Sequence, residues 1–307
     1  MTLKTKISIL LAVVLWASAF VGIRAGMREF SPGGLALFRY LTASAVMAMI
    51  YARQPKQSAM TARETLLLLL VGIIGIGIYN ITLNYGEQTI SSGVASFIIS
   101  QSPILTAIFA VIVLGEEITP LRILGFMISV IGVILITYGQ IGKVGWGEGI
   151  GFILIATLTG SCYTIMQKPF LKKCSPIQAA SYAIWGGTLF LMIYVFKLRS
   201  DLQHVSWRAI AIVVYLGVFP AAVAYAAWSY ALSKLPAAQA VSYLYFTPFV
   251  ATMIGWLWLN EVPTMASLFG GVIAVIGVWT VNQSYRRKHP SFGLPKTDNQ
   301  VNYLSKK

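Results

Sequence analysis

Acidic residues are scarce in this chain of 307 residues: nine Asp and Glu stand against 23 Lys and Arg. Charged residues make up 10% of the sequence, where a soluble globular protein carries roughly 25%. So few charges cannot clothe a water-facing surface. This excludes an ordinary soluble domain and calls for lipid around much of the chain. Histidine and cysteine are rarer still. His204 and His289 lie outside the apolar runs, and Cys162 and Cys174 supply neither a disulfide framework nor a metal site. No cofactor and no metal are therefore expected. The phosphate-binding loop GxxxxGK[ST] is missing, so ATP is not expected to drive the protein and no ATP-binding subunit is implied. A cleavable leader is not read either, because the first apolar run, Ile7 to Ile23, is too long and continuous for one.

Apolar residues, by contrast, form 57% of the chain. They fall into runs near the length of about 20 residues that crosses a bilayer as a helix. Ten spans are predicted, at about 7–25, 33–52, 65–86, 91–114, 120–139, 148–167, 176–197, 207–232, 238–259 and 263–282. Turn and polar residues separate them, as in Ser31-Pro32-Gly33-Gly34 and Arg53-Gln54-Pro55-Lys56. The connections are short, so successive helices are expected to be antiparallel neighbours. Residues 283–307 form a polar tail.

The net charge of +14 does not point to nucleic acid, because the cations sit in the breaks between apolar runs and in the tail. With the N-terminus inside, sixteen Lys and Arg lie on the inner side and six on the outer, while Arg39 falls within a span. That bias predicts a multi-pass protein of the cytoplasmic (inner) membrane with both termini in the cytoplasm.

The chain also repeats itself. At an offset of 145 residues, Tyr85, Ala95, Pro103, Leu114, Glu116, Thr119 and Gly125 meet Tyr230, Ala240, Pro248, Leu259, Glu261, Thr264 and Gly270. The match closes with Val130-Ile131-Gly132-Val133 against Val275-Ile276-Gly277-Val278. Apolar segments share aliphatic residues by accident, but Pro, Glu, Thr and Gly at one offset are much harder to match by chance. The front of each half agrees more loosely, with Ser18 opposite Ser161 and Ser31-Pro32 opposite Ser175-Pro176. Two repeats are expected, 7–139 and 148–282. Five spans in each force the second copy to enter the membrane from the opposite side. The halves are then related by a two-fold axis in the membrane plane, an architecture that exposes one midplane site alternately to each side.

In these features the chain resembles the EamA-type members of the drug/metabolite transporter superfamily. The resemblance covers residues 7 to 282. It rests on Leu15-Trp16-Ala17-Ser18-Ala19-Phe20 in the first helix and Phe38-Arg39-Tyr40 in the second. It also rests on the helices of Pro103 and Pro248, each followed by a Glu-containing turn, Leu114-Gly115-Glu116 and Leu259-Asn260-Glu261. The resemblance implies a transporter of small metabolites, often an exporter of amino acids or related compounds.

Candidate substrate residues are the polar and aromatic groups within the spans. Arg39 lies about six residues past the outer start of its helix, roughly 9 Å deep at the helical rise. A cation there faces the bundle interior or snorkels, and either attracts a substrate carboxylate or pairs with a helix terminus or carbonyl. Pro103 and Pro248 each remove an N–H and clash with the carbonyl four residues earlier, which makes either a hinge in a broken, cavity-lining helix or a packing kink. Ser18 either bonds substrate or lets helices approach closely. Tyr79, Asn80, Ser96, Gln101, Tyr163, Trp228, Gln239, Ser242 and Tyr245 complete the set. Gln239 and Ser242 share one helical face with Phe246.

With the spans placed as above, no Asp or Glu lies in the middle of any helix. A carboxylate proton relay is therefore not evident, and facilitated diffusion or exchange stands beside proton coupling. The expected function is secondary transport of a small metabolite, an amino acid or related and possibly aromatic compound, by alternating access in the direction of efflux. A channel-like facilitator is the alternative. An intramembrane enzyme fits less well, for want of a mid-membrane acid, base or metal ligand. The partners are then a small-molecule substrate and the lipid bilayer.

Overall fold

The computed structural model describes residues 1–55, 60–89, 95, 98–138, 149–259 and 265–288. Among these residues the chain is helical, with no strand. Helix α1 spans Leu3–Gly26, and Thr2 caps it by accepting from the Thr5 amide at 3.3 Å. Helix α2, Pro32–Ala52, starts at Ser31, whose hydroxyl accepts from the Gly34 amide at 3.1 Å. Helix α3, Ala62–Thr89, opens with a capping box in which Thr61 and Glu64 satisfy each other's backbone N–H. Helix α4 is Ser102–Leu114, α5 is Pro120–Tyr138 and α6 is Gly149–Gln167. Helix α7, Pro176–Asp201, is capped by Ser175 as α2 is by Ser31, and α8, Trp207–Lys234, is capped by Ser206. Helix α9 occupies 237–259 in three pieces, and α10 is Met265–Lys288. In α2 and α7 a proline fills the first helical position, where its missing N–H has no intrahelical partner to lose.

Six of these helices are long and apolar enough to cross a bilayer: α1, α2, α3, α7, α8 and the segment Gly149–Lys172 built on α6. Shorter apolar stretches fall at Ser102–Leu114, Pro120–Leu135 and Leu268–Ser284. Large apolar side chains cover the outside of the bundle; Ile112, Phe196 and Trp207 are 74%, 81% and 84% exposed. With buried Asn, Gln, Ser and Thr inside it, this is the surface of a multi-pass membrane protein.

Helices α3 and α8 share an irregularity. Each passes through a π-helical stretch, Ile73–Ile78 in α3 and Gly217–Val223 in α8, roughly 145 residues apart. In α8 the cause is Pro220, which has no N–H to give to the ladder. In α3 the Asn80 amide donates to the Ile76 carbonyl at 2.8 Å and serves a backbone group within the stretch. Helices α3 and α8 are 28 residues each, more than the apolar runs predict.

Helices α4 and α9 are interrupted at matching places as well. A turn at Ser100 and Gln101 precedes α4, and a 3-10 turn at Tyr243–Tyr245 divides α9 between Ala237–Ser242 and Phe246–Leu259. Pro103 and Pro248 therefore stand in the first turn of a new helical piece rather than in a helix interior.

Close packing holds the bundle. Helix α5 lies along α10, where a Cβ on Gly132 would stand 2.4 Å from the Ala274 amide nitrogen. Helix α3 meets α7 as tightly, with a Cβ on Gly72 falling 1.9 Å from the Ala183 carbonyl oxygen. Polar ties join the ends. Glu116 follows Gly115 in the left-handed region (φ 65°) and accepts from Ala237 N at 2.6 Å and Ala238 N at 3.2 Å. The Lys168 ammonium donates to the carbonyls of Leu232 and Leu235 at the C-terminus of α8, where a helix favours a cation.

Candidate functional site

A cavity lies between α1, α2, α3, α4, α6, α8 and α9, so both sequence halves contribute to its wall. It leaves about 120 Å³ open to the centres of water-sized spheres, room for roughly ten waters or one small metabolite. Apolar and aromatic groups dominate the wall, with a few polar side chains among them, the composition expected of a small-molecule site.

Arg39 carries the charge. It is 4% exposed, and its Nη1 donates to Asn80 Oδ1 at 3.1 Å while Nε reaches the Leu216 carbonyl at 3.4 Å. Its guanidinium stands 5.3 Å from the centroid of the Tyr40 ring. Two of its five N–H groups are thus engaged, and no carboxylate lies within ion-pair distance of it among the described residues. Asn80 fixes this arrangement. Its amide donates to the Tyr40 hydroxyl and the Ile76 carbonyl, both at 2.8 Å, and its oxygen accepts the hydrogen bond from Arg39 Nη1. Asn80 occupies the first turn after the π stretch, so the local backbone irregularity sets where its amide points.

The aromatic wall is a connected cluster. Trp16 meets Tyr225 at 5.4 Å and Trp228 at 5.3 Å between ring centroids, and Tyr163 meets Tyr225 at 5.7 Å. The Trp16 indole N–H donates to the Pro220 carbonyl at 3.1 Å, which ties the ring to the π stretch of α8. Gly75 lets α6 bring Tyr163 against α3, because a Cβ there would stand 2.1 Å from the Tyr163 Cβ. Tyr163 in turn accepts from the Gln167 amide at 2.8 Å. Ser100, Ser102, Thr106, Thr157 and Thr247 add hydroxyls to the wall.

Among the residues singled out from sequence, Arg39, Tyr79, Asn80, Tyr163, Trp228 and Pro248 line this cavity. Several others face elsewhere. Ser18 bonds the Leu15 carbonyl at 2.7 Å and the Tyr215 hydroxyl at 2.8 Å, between α1 and α8. Gln101 lies in the turn before α4, with its amide 3.5 Å from Ser100 Oγ. Gln239 donates to Asn282 Oδ1 of α10 at 2.8 Å, and Ser242 donates to the Gln239 carbonyl at 2.8 Å. Tyr245 is fully buried against Phe126, with centroids 6.4 Å apart. Pro103 is buried beside the cavity, off its wall. Ser96 lies outside the described residues. The wall residues Trp16, Phe20, Thr106 and Thr157 were absent from that set. A tryptophan mid-way along an apolar helix, away from the interface where the residue usually settles, was the available signal for Trp16.

Comparison with known proteins places the chain. The model of the EamA-like transporter family matches it twice, over residues 3–138 and 147–283. The chain belongs to this family. Among its relatives, an uncharacterized transporter of Bacillus subtilis, YdfC, is 37% identical over 277 residues, covering 90% of each chain. A protein of Streptantibioticus cattleyicolor named "Probable terminal-alkyne amino-acid exporter" is 31% identical over 284 residues, covering 91% of this chain and 94% of the relative. A solved crystal structure with 17% identity covers 94% of this chain and 99% of its own at a TM-score of 0.75, and so shares the fold. The chain is an EamA-like membrane transporter.

Proposed function

We propose that this transporter carries a small amphipathic metabolite with a carboxylate, an amino acid or close relative, across the cytoplasmic membrane by alternating access, in the direction of efflux. The observation that carries the reading is Arg39: a buried guanidinium on the cavity wall with N–H groups to spare and no acidic partner among the described residues. Burying a lone charge is costly, and a substrate carboxylate that accepts two parallel hydrogen bonds would offset that cost. The aromatic group of Trp16, Tyr163, Tyr225 and Trp228 offers apolar faces to the rest of the substrate and π-faces to an ammonium. The named amino-acid exporter among the relatives supports the substrate class and the direction.

The architecture belongs to the same proposal: ten spans in two inverted repeats, 7–139 and 148–282, with the 283–307 tail and both termini cytoplasmic. The caps Ser31 and Ser175, the caps Thr61 and Ser206, the paired π stretches, and the turns before Pro103 and Pro248 recur at offsets of roughly 145 residues and support it. So do two cross-contacts: Lys173, between α6 and α7, pairs with Glu64 at the start of α3, and Glu29, between α1 and α2, bonds Ser206 at the start of α8. Thermal denaturation of the detergent-solubilised protein against a panel of amino acids is the test. Stabilisation is expected from aromatic and branched amino acids, and less from their amides, which lack the carboxylate. Equal stabilisation by acid and amide would contradict a carboxylate site.

A further inference from the structure

The third apolar run ends at residue 86, but α3 continues to Thr89, so Glu87 is part of the helix and not of a connection. Both oxygens of its carboxyl group are buried, and neither has a hydrogen-bond partner among the described residues. Glu87 follows the wall residue Leu83 by four positions and Asn80 by seven, which sets it on the cavity side of α3, one to two turns farther along. Asn84, one turn before it, donates to the Pro32 carbonyl at 2.9 Å, so Glu87 sits at the end of the bundle where α2 begins.

Among the described residues, Arg24 of α1, Arg39 of α2 and Tyr79 of its own helix are the charged and titratable groups that face it. Helix α6 approaches at Gly86 through Ile153 and the Gly149 carbonyl, and Tyr194 of α7 meets Tyr85. A carboxylate buried without a partner is far costlier than the neutral acid. Opening this end would expose the group to water between two guanidinium groups, where the ionised form is at ease.

We propose that Glu87 is a proton-binding site at the outer mouth of the cavity: closing the mouth takes one proton from the outer solution onto a carboxylate oxygen, and opening returns it. The proposal rests on the cavity and the orientation given above. It couples the proton to the substrate through Arg39. Ionised, Glu87 competes with a substrate carboxylate for that guanidinium; protonated, it leaves Arg39 to the substrate. The apolar run read from the sequence stops at residue 86, one residue before Glu87, which is why Glu87 does not figure among the intramembrane groups there.

The test uses the full chain in liposomes. Infrared difference spectra of wild type against Glu87→Gln, at neutral pH without substrate, are expected to show the deuterium-sensitive C=O stretch of a neutral carboxylic acid in wild type alone. Identical spectra in that region overturn the proposal. Should Glu87→Gln not fold, Glu87→Asp decides: the band shifts if it belongs to residue 87, and an unmoved band overturns the assignment. Exchange of labelled L-phenylalanine then reads the coupling. The wild-type rate is expected to fall as external pH rises, by up to about tenfold per pH unit, the slope for one proton. Glu87→Gln is expected to be flat across the same range. A Gln variant with the wild-type slope overturns the proposal. A wild type that exchanges no amino acid defeats the substrate reading instead, while the infrared band still decides Glu87.

Discussion

At the scale of the residue, Arg39 is held in place by Asn80, and the two are best separated by substitution at Asn80. Asn80→Leu leaves the Arg39 Nη1 without its amide partner and the Tyr40 hydroxyl with only its bond to Tyr225, and an orphaned buried group costs about 1–3 kcal/mol. A lowered melting temperature in detergent is the expected result. Asn80→Asp puts a carboxylate where the amide oxygen meets Arg39. It is expected to keep much of the stability and to lose substrate binding, because the guanidinium then has an internal anion. If Asn80→Asp binds substrate as wild type does, Arg39 does not hold the substrate carboxylate. Both residues were legible in the sequence for one reason: a polar side chain inside an apolar span must find a partner or a function. The connected ring cluster was not legible. Trp16 and Trp228 belong to opposite halves of the chain, and only the packing of α1 on α8 brings them within 5.3 Å.

At the scale of the element, glycine decides how close two helices come. A Cβ at Gly72 would collide with the backbone oxygen of Ala183, and backbone cannot swing aside as a side-chain tip can. Gly72→Ala is therefore expected to destabilise by about 1–3 kcal/mol, the usual cost of overpacking. Gly151→Ala meets nothing within 4 Å and is expected to be neutral or to stabilise by up to about 1 kcal/mol, through helix propensity alone. Thermal denaturation of the two variants side by side checks both.

The contact between the α1–α2 connection and α8 has a different sensitivity. Hydrogen bonds from the Ser206 amide and hydroxyl hold the exposed Glu29 carboxyl below its ordinary value. A depressed folded-state value means the contact contributes fully above the ordinary carboxylate range and is lost as pH falls through the folded value. Hydrogen exchange at the start of α8 is expected to quicken in acid, and Glu29→Gln should remove that acid dependence. Unchanged protection down through the carboxylate range would contradict it. The elements also explain where sequence reasoning slipped. Gln239 and Ser242 were set on the face of Phe246 by a 3.6-residue period, but the 3-10 turn at Tyr243–Tyr245 has three residues per turn and changes the phase. Gln239 accordingly turns to Asn282 of α10 and away from the cavity. Helices α3 and α8 also run past the apolar windows that marked them, at ends where polar residues continue the helix.

At the scale of the whole molecule, composition alone was enough for a polytopic membrane protein, because 10% charge leaves no other solvent for so apolar a chain. The family followed from features spread along nearly the whole chain, and the two matched stretches, 3–138 and 147–283, lie close to the repeats read from the 145-residue offset. The position of the cavity was less accessible to sequence. It forms where seven helices from both halves converge, and their pairing is a property of the packed bundle. On the proposed function, this bundle moves a carboxylate-bearing metabolite and Arg39 binds its anionic end. Counterflow of labelled L-phenylalanine into liposomes preloaded with the unlabelled compound tests it most directly, with wild type, Arg39→Lys and Arg39→Gln compared after each is shown to fold. Guanidinium offers two parallel hydrogen bonds that an ammonium cannot copy, so the account expects counterflow in wild type, loss of most of it in Arg39→Lys, and loss of more in Arg39→Gln. Wild-type counterflow by a well-folded Arg39→Gln would contradict it.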